Sequence, residues 1–386
     1  MKKWICGFLF VFSTAFISAQ ITVGAARTAQ YFPLLKGKKI ALVVNQTSTI
    51  GRIHLADSLQ HSGFNIQKIF APEHGFRGTA DAGAHVANTI DKKTNIPVIS
   101  LYGKKQKPSA EDLDGIDLVI FDIQDVGCRF YTFLSTLHYV MEACAQNQVA
   151  LLLLDRPNPN GSYVDGPVLD TAFRSFVGIA PIPVVHGLTL GEYAKMAIGE
   201  KWIANGEKLN IKIVSCMGWK HQTPYKLPVA PSPNLKNAKA IEWYPSLCFF
   251  EGTNISVGRG TPFPFQVAGA PMLNLDSGFS FKPVSMPGAG DPPFKGQVCK
   301  GFDLRKKPAA TGFPRTINLQ LLLKCYELYP DKNTFFLSNH FIDKLAGTDQ
   351  LRLMIANGKS EKEIRASWQP QLEEYRLMRK KYLLYD

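Results

Sequence analysis

Leu118-Val119-Ile120-Phe121-Asp122-Ile123 is apolar everywhere except at Asp122. A strand built from it has no polar face, so it must be covered on both sides. That is the habit of strands in a parallel sheet sandwiched by helices. Upstream, Ile40-Ala-Leu-Val-Val-Asn45, Ile66 to Phe70 and Pro97 to Leu101 read as strands. Downstream, Val149 to Leu154 and Leu209 to Ser215 do the same. Arg52 to His61, Phe130 to Gln146 and Thr189 to Ala204 read as helices between them. Strands alternating with helices predict an α/β fold with a doubly wound parallel sheet.

Proline, glycine and aromatic residues become dense from about Pro224 to Phe294. Short strands are read near Phe265 to Ala270, Gly278 to Val284 and Gln297 to Leu304. Helices return at Thr316 to Tyr329, Gly347 to Asn357 and Ser360 to Lys381. This is a second, smaller α+β portion. The division is residues 20–262 for the sheet domain and 263–386 for the C-terminal domain. The length of 386 residues suits two domains, and the 45% hydrophobic and 19% charged content is that of a globular chain.

Residues 1–19 stand apart. Lys2 and Lys3 precede a mostly apolar run from Trp4 to Ile17, and Ser18-Ala19 offers a small-residue cleavage point. This reads as a secretory signal peptide and not as an anchor, since the run is short for a membrane span. The expectation is an exported, periplasmic protein with no membrane span after cleavage near Ala19. The net charge of +13 is spread along the chain, the densest basic run being Arg379-Lys380-Lys381. It favours anionic small ligands or an acidic envelope surface and gives no nucleic-acid signature. Cys128, Cys144, Cys216, Cys248, Cys299 and Cys325 have no CxxC or zinc spacing; an even number in an exported chain permits disulfides, and buried free thiols are the plainer reading.

Chemistry gathers at the strand ends, where open α/β sheets bind ligands. The first strand ends in Asn45-Gln46-Thr47-Ser48. The second is followed by Pro72-Glu73-His74-Gly75-Phe76-Arg77-Gly78. The fourth carries Asp122-Ile-Gln124-Asp125-Val-Gly127-Cys-Arg129-Phe130-Tyr131, and the fifth Asp155-Arg156-Pro157-Asn158-Pro159-Asn160-Gly161. No GxGxxG follows the first strand, and no GxxxxGK[ST] or GxSxG is present, so no nucleotide cofactor and no serine elbow is implied. Glu73 sits in a Pro/Gly-bounded turn beside His74 and Arg77. A carboxyl group there can be partly desolvated, which suits a general acid; a carboxylate capping a backbone turn is the plainer alternative. Asp122 and Asp125 form a second acidic pair, which can instead pair with Arg129 or Arg156. His74, His85, His186 and Asp122 lack HExxH or HxH spacing, so no metal is assigned.

A second cluster is Phe250-Glu251-Gly-Thr253-Asn254-Ile-Ser256-Val-Gly258-Arg259-Gly260-Thr261. Glycines around Arg259 suggest a sharp turn presenting a guanidinium, which can grip a carboxylate through two bonds or simply pin a loop. Tyr131, Trp243, Tyr244 and Phe263 are candidate faces for stacking on a sugar, against the commoner fate of core packing.

The runs from Pro72 to Gly78, Phe121 to Thr132, Asp155 to Gly161, His186 to Glu192 and Phe250 to Thr261, with Tyr382-Leu-Leu-Tyr385, resemble the exo-β-N-acetylmuramidase (NamZ) family, long catalogued as a domain of unknown function. One departure is Ser162, where a second glycine is usual. The resemblance spans essentially the whole chain after residue 19. It implies a Rossmann-like N-terminal domain, a smaller C-terminal domain and an active-site cleft between them. It also implies an exo-acting glycosidase that releases terminal N-acetylmuramic acid (MurNAc) from non-reducing ends of peptidoglycan fragments, with Glu73 as leading catalytic candidate. Glycosidases commonly use two carboxyl groups; Asp122, Asp125 or Glu251 is the second. Arg259, Arg129 or Arg77 would hold the lactyl carboxylate. Asn45, His74, Tyr131, Asp155, Arg156, Asn160, His186 and Asn254 complete the candidate substrate-binding set. The alternatives are a non-catalytic periplasmic binding protein for muropeptides or other anionic sugars, and a metal-dependent deacetylase.

Overall fold

The computed structural model describes residues 20–77, 88–276, 278–309 and 315–386. The signal-peptide reading, Gly78 and His85 lie outside these residues. Among the described residues the main sheet has seven strands. From one edge to the other they are Ile211–Val214, Ala150–Leu154, Leu118–Asp122, Lys39–Val44, Asn65–Ala71, Pro97–Ser100 and Thr89–Ile90. All neighbours pair in parallel except the last two, which are antiparallel.

The apolar runs explain the layering. Ile40, Leu42, Ile120, Leu152 and Leu154 face one side and pack with Leu55, Ala56 and Leu59 of the helix Leu55–His61. Ala41, Val43, Val119, Phe121 and Leu153 face the other and pack with Leu134, Leu137 and Met141 of the helix Phe133–Gln146. Alternate residues thus enter two separate cores, and every position is buried. At about 25 cal/mol per Å² of apolar surface removed from water, this double burial is the main support of the sheet.

The second portion holds an antiparallel sheet ordered Val267–Ala270, Cys299–Asp303, Ser280–Phe281, and ends in the helix Glu361–Lys380. Two features were not expected. Ala238–Leu247 is a helix despite its Pro245, inside the stretch dense in proline, glycine and aromatic residues, where no helix was read. Asp165–Val168 and Pro183–Val185 form a small antiparallel pair. All six cysteines from Cys128 onward are buried and free. No helix among the described residues is long and apolar enough to cross a membrane.

Candidate active site

The strand Asn65–Ala71 ends at Pro72, and the chain reverses at once, with the Gly75 amide donating to the Pro72 carbonyl at 3.0 Å. His74 takes φ 69° and Gly75 φ 77° to make this turn. Positive φ at a histidine is uncommon and costs backbone energy, which here is held at the mouth of a cavity. Glu73 lies at the tip of the turn. The Thr132 hydroxyl donates to Glu73 Oε2 at 2.7 Å, and Tyr102 lines the same cavity, its phenol close enough to Glu73 for that carboxylate to help raise it above its usual value. Tyr131 is fixed by its hydroxyl, which donates to the Pro231 carbonyl at 2.8 Å, and by an edge contact with Tyr244.

The opposite wall carries Arg259. Gly258 and Gly260 both sit at φ 79°. A Cβ at Gly258 would lie 2.5 Å from a Val267 methyl, and one at Gly260 2.5 Å from the Pro292 ring, so both bends demand glycine. Arg259 Nε donates to Glu251 Oε1 at 2.6 Å, and its guanidinium lies 5.0 Å from the Phe265 ring centre. Burial works against this charge, but Glu251 more than compensates and raises Arg259 above the usual arginine value. Among the described residues the two terminal NH2 groups of Arg259 have no hydrogen-bond partner. Glu73, Tyr102, Tyr131, Glu251, Arg259 and Phe265 line one cavity of about 430 Å³. Phe341 and Leu345 of the C-terminal portion close it, so the cavity lies between the two portions of the chain. Two carboxyl groups, a half-free guanidinium and aromatic walls suit an anionic sugar.

Glu73, His74, Tyr131, Tyr244, Glu251 and Arg259 are thus brought together. The other candidates do not line this cavity, and their bonds say why. Asp122 and Arg156 are spent on each other in a buried two-point pair, Nε to Oδ1 at 2.6 Å and Nη2 to Oδ2 at 2.9 Å. Asp125 accepts from the Gly127 amide at 2.6 Å and lies 3.7 Å from the buried His186 ring. Asn45 Oδ1 accepts from the amide and hydroxyl of Thr47. Arg77 grips Asp91 and lies over Phe76. Arg129 is completely buried, and its guanidinium donates to the carbonyls of Pro167, Ile182 and Leu345. Burial pulls it below the usual arginine range. It ties the cavity wall together from behind and offers nothing to a ligand.

Asp155 accepts from Thr189 Oγ1, the Gly191 amide and the Tyr385 hydroxyl. Burial pushes its carboxyl up to about 6, against those donors. Asn160 donates to the carbonyls of Val126 and Ile241 and borders a separate cavity of about 530 Å³. Asn254 donates to the Thr334 carbonyl and borders a third, of about 310 Å³. Trp243 is buried, with its ring N–H on the Lys307 carbonyl, and Phe263 lies under Arg305. Among the described residues no three His, Cys, Asp or Glu side chains gather as a metal group.

Sequence reasoning missed Tyr102, Thr132, Phe176 and Ser232, all on the cavity wall. For Tyr102 the signal was present. It follows the strand Pro97–Ser100, and the rule applied to the other strand ends would have found it.

Comparison with known proteins matches residues 40–239 to the family model described as exo-beta-N-acetylmuramidase NamZ, N-terminal, and residues 242–385 to its C-terminal counterpart. The chain belongs to the NamZ family. A relative from Bacillus subtilis (strain 168), named peptidoglycan beta-N-acetylmuramidase NamZ, is 38% identical over 376 residues, covering 92% of this chain and 89% of that one. A solved DUF1343 family protein from Bacteroides fragilis NCTC 9343 is 45% identical with a TM-score of 0.86, over 95% of this chain and 99% of that one. A second from the same organism is 27% identical with a TM-score of 0.81 and the same coverage. The NamZ assignment covers both portions of the chain, and so both walls of the cavity.

Proposed function

We propose that this NamZ-family protein is an exo-acting glycosidase that removes terminal β-linked MurNAc from non-reducing ends of peptidoglycan fragments. The observation that carries the reading is the single cavity lined by Glu73, Glu251 and Arg259, in a chain related to a named peptidoglycan muramidase. Glu73 is the carboxyl group that protonates the leaving oxygen as the bond to the anomeric carbon breaks. Of the second-carboxylate candidates, Glu251 borders the cavity and Asp122 and Asp125 do not, so Glu251 takes that role in the reading. The free edge of Arg259 receives the lactyl carboxylate, which MurNAc has and N-acetylglucosamine lacks. Export to the periplasm after removal of residues 1–19 places the enzyme beside its substrate.

The test is turnover of a chromogenic β-MurNAc glycoside by the purified protein, with and without chelator. Release of MurNAc in both conditions is expected. Binding without turnover returns the protein to the class of non-catalytic sugar-binding proteins. Chelator-sensitive acetate release makes it a deacetylase. Internal cleavage, or release of N-acetylglucosamine, overturns the substrate assignment.

A further inference from the structure

Thr132 is the residue just before the helix Phe133–Gln146, the place where a threonine ordinarily turns its hydroxyl onto the helix's own free amides. This chain uses that device elsewhere. Ser109, Thr189 and Ser360 each accept from a helix amide in a full capping box. Thr132 makes no such bond. Its hydroxyl points out of the helix and donates to Glu73 Oε2 at 2.7 Å. A second hydroxyl stands near the same carboxyl group, from the end of another strand. Tyr102 stands two residues beyond the strand Pro97–Ser100 and lines the same cavity, its phenol beside Glu73. Its ring is held by Phe176 at 6.0 Å, which stacks in turn on Tyr139. Burial, and then the charge of Glu73, push the Tyr102 phenol above its usual value, so it keeps its proton and stays a donor.

We propose that Tyr102 and Thr132 are positioning residues of the glycosidase: their two hydroxyls, one brought from a strand end and one from a helix start, fix the Glu73 carboxyl group against the scissile bond. Neither need touch the sugar. Glu73 stands on a tight turn between Pro72 and Gly75, with only short loop backbone behind it. Two fixed donors supply the rigidity that the turn lacks. Misplacement of a reacting group by about 1 Å can cost a hundredfold in rate, so the hydroxyls belong to kcat and not to sugar binding.

This inference rests on Glu73 being the catalytic carboxyl group, and the experiment separates the two. On the chromogenic β-MurNAc glycoside, Tyr102→Phe and Thr132→Val should each lower kcat by about tenfold to a hundredfold with little change in KM. Thr132→Ser, which restores the hydroxyl, should recover most of the loss. The decisive arm repeats Tyr102→Phe and Thr132→Val in a Glu73→Gln background. There the further loss should vanish, because groups that act through one residue are not additive. Circular dichroism of each variant confirms that it is folded. If Glu73→Gln is nearly inactive while Tyr102→Phe raises KM and leaves kcat alone, the Tyr102 hydroxyl binds the sugar and the positioning role is wrong. An undiminished further loss in the Glu73→Gln background also overturns it. If Glu73→Gln keeps its rate, the failure belongs to the functional reading.

Discussion

Arg259→Ala tests how the enzyme tells MurNAc from its neutral relatives. One edge of the guanidinium is committed to Glu251 at 2.6 Å, and the ring of Phe265 holds its plane. The two terminal NH2 groups are free among the described residues, on a side chain 20% exposed. They are set to make a forked grip on a carboxylate. A hydrogen bond to a charged group contributes about 1.5–3 kcal/mol, equal to roughly a 10- to 150-fold change in kcat/KM. The raw loss in Arg259→Ala also contains the cost of leaving Glu251 without its partner. That cost is the same for every substrate. Measuring wild type and variant on a MurNAc glycoside, and on the same glycoside with its lactyl carboxylate made an amide, cancels it. The coupling between residue and carboxylate should be about 1.5–3 kcal/mol. Arg259→Lys should keep the charge and lose the fork, and so fall between. Equal penalties on acid and amide would refute the reasoning and leave Arg259 as a support for its loop.

Glu73→Gln should lower turnover by about two to four orders of magnitude without loss of the folded circular dichroism spectrum; retention of more than about a tenth of the rate would make Glu73 structural. Asp122→Ala should cost about 3–5 kcal/mol in urea unfolding, because it strands a buried Arg156, while the molecules that stay folded keep a kcat close to wild type. Asp155 gives a pH signature. Its folded-state carboxyl lies near 6, above its ordinary 3.8, so the folded chain holds a proton that the unfolded chain releases. Stability should therefore fall as pH rises from about 4 to 6, by about 3 kcal/mol at most, and Asp155→Asn should flatten that part of the stability curve; parallel curves would contradict it.

The sheet was legible because each apolar run is buried on both faces, so Leu118 to Phe121 or Leu151 to Leu154 admits one reading. The site was legible in part. The turn at Glu73 and the bends at Gly258 and Gly260 follow from local backbone chemistry. The fate of the other polar strand ends does not. Asp122 and Asp155 look equally suited to a ligand in sequence. Only tertiary packing hands one to Arg156 and the other to Tyr385. Arg129 misled for the same reason, since its three carbonyl partners come from residues 38, 53 and 216 positions away. Tyr102 was overlooked because an aromatic residue after a strand looks like core until a carboxylate is found against its hydroxyl.

The bond between Tyr385 and Asp155 reaches beyond the local network. Its two ends are 230 residues apart, and the Tyr385 hydroxyl also accepts from the Cys216 amide. Asp165 likewise waits for the Ile317 amide, 152 residues later. Contacts of such separation form late, because closing long loops costs chain entropy before any contact repays it. Until Tyr385 arrives, the end of the strand Ala150–Leu154 carries a sequestered carboxylate short of a donor. The boundary between the two family matches, near residue 240, is therefore not a boundary between parts expected to fold alone. A fragment cut there is expected to be a substrate for proteases, and the intact chain to acquire resistance to them in one step.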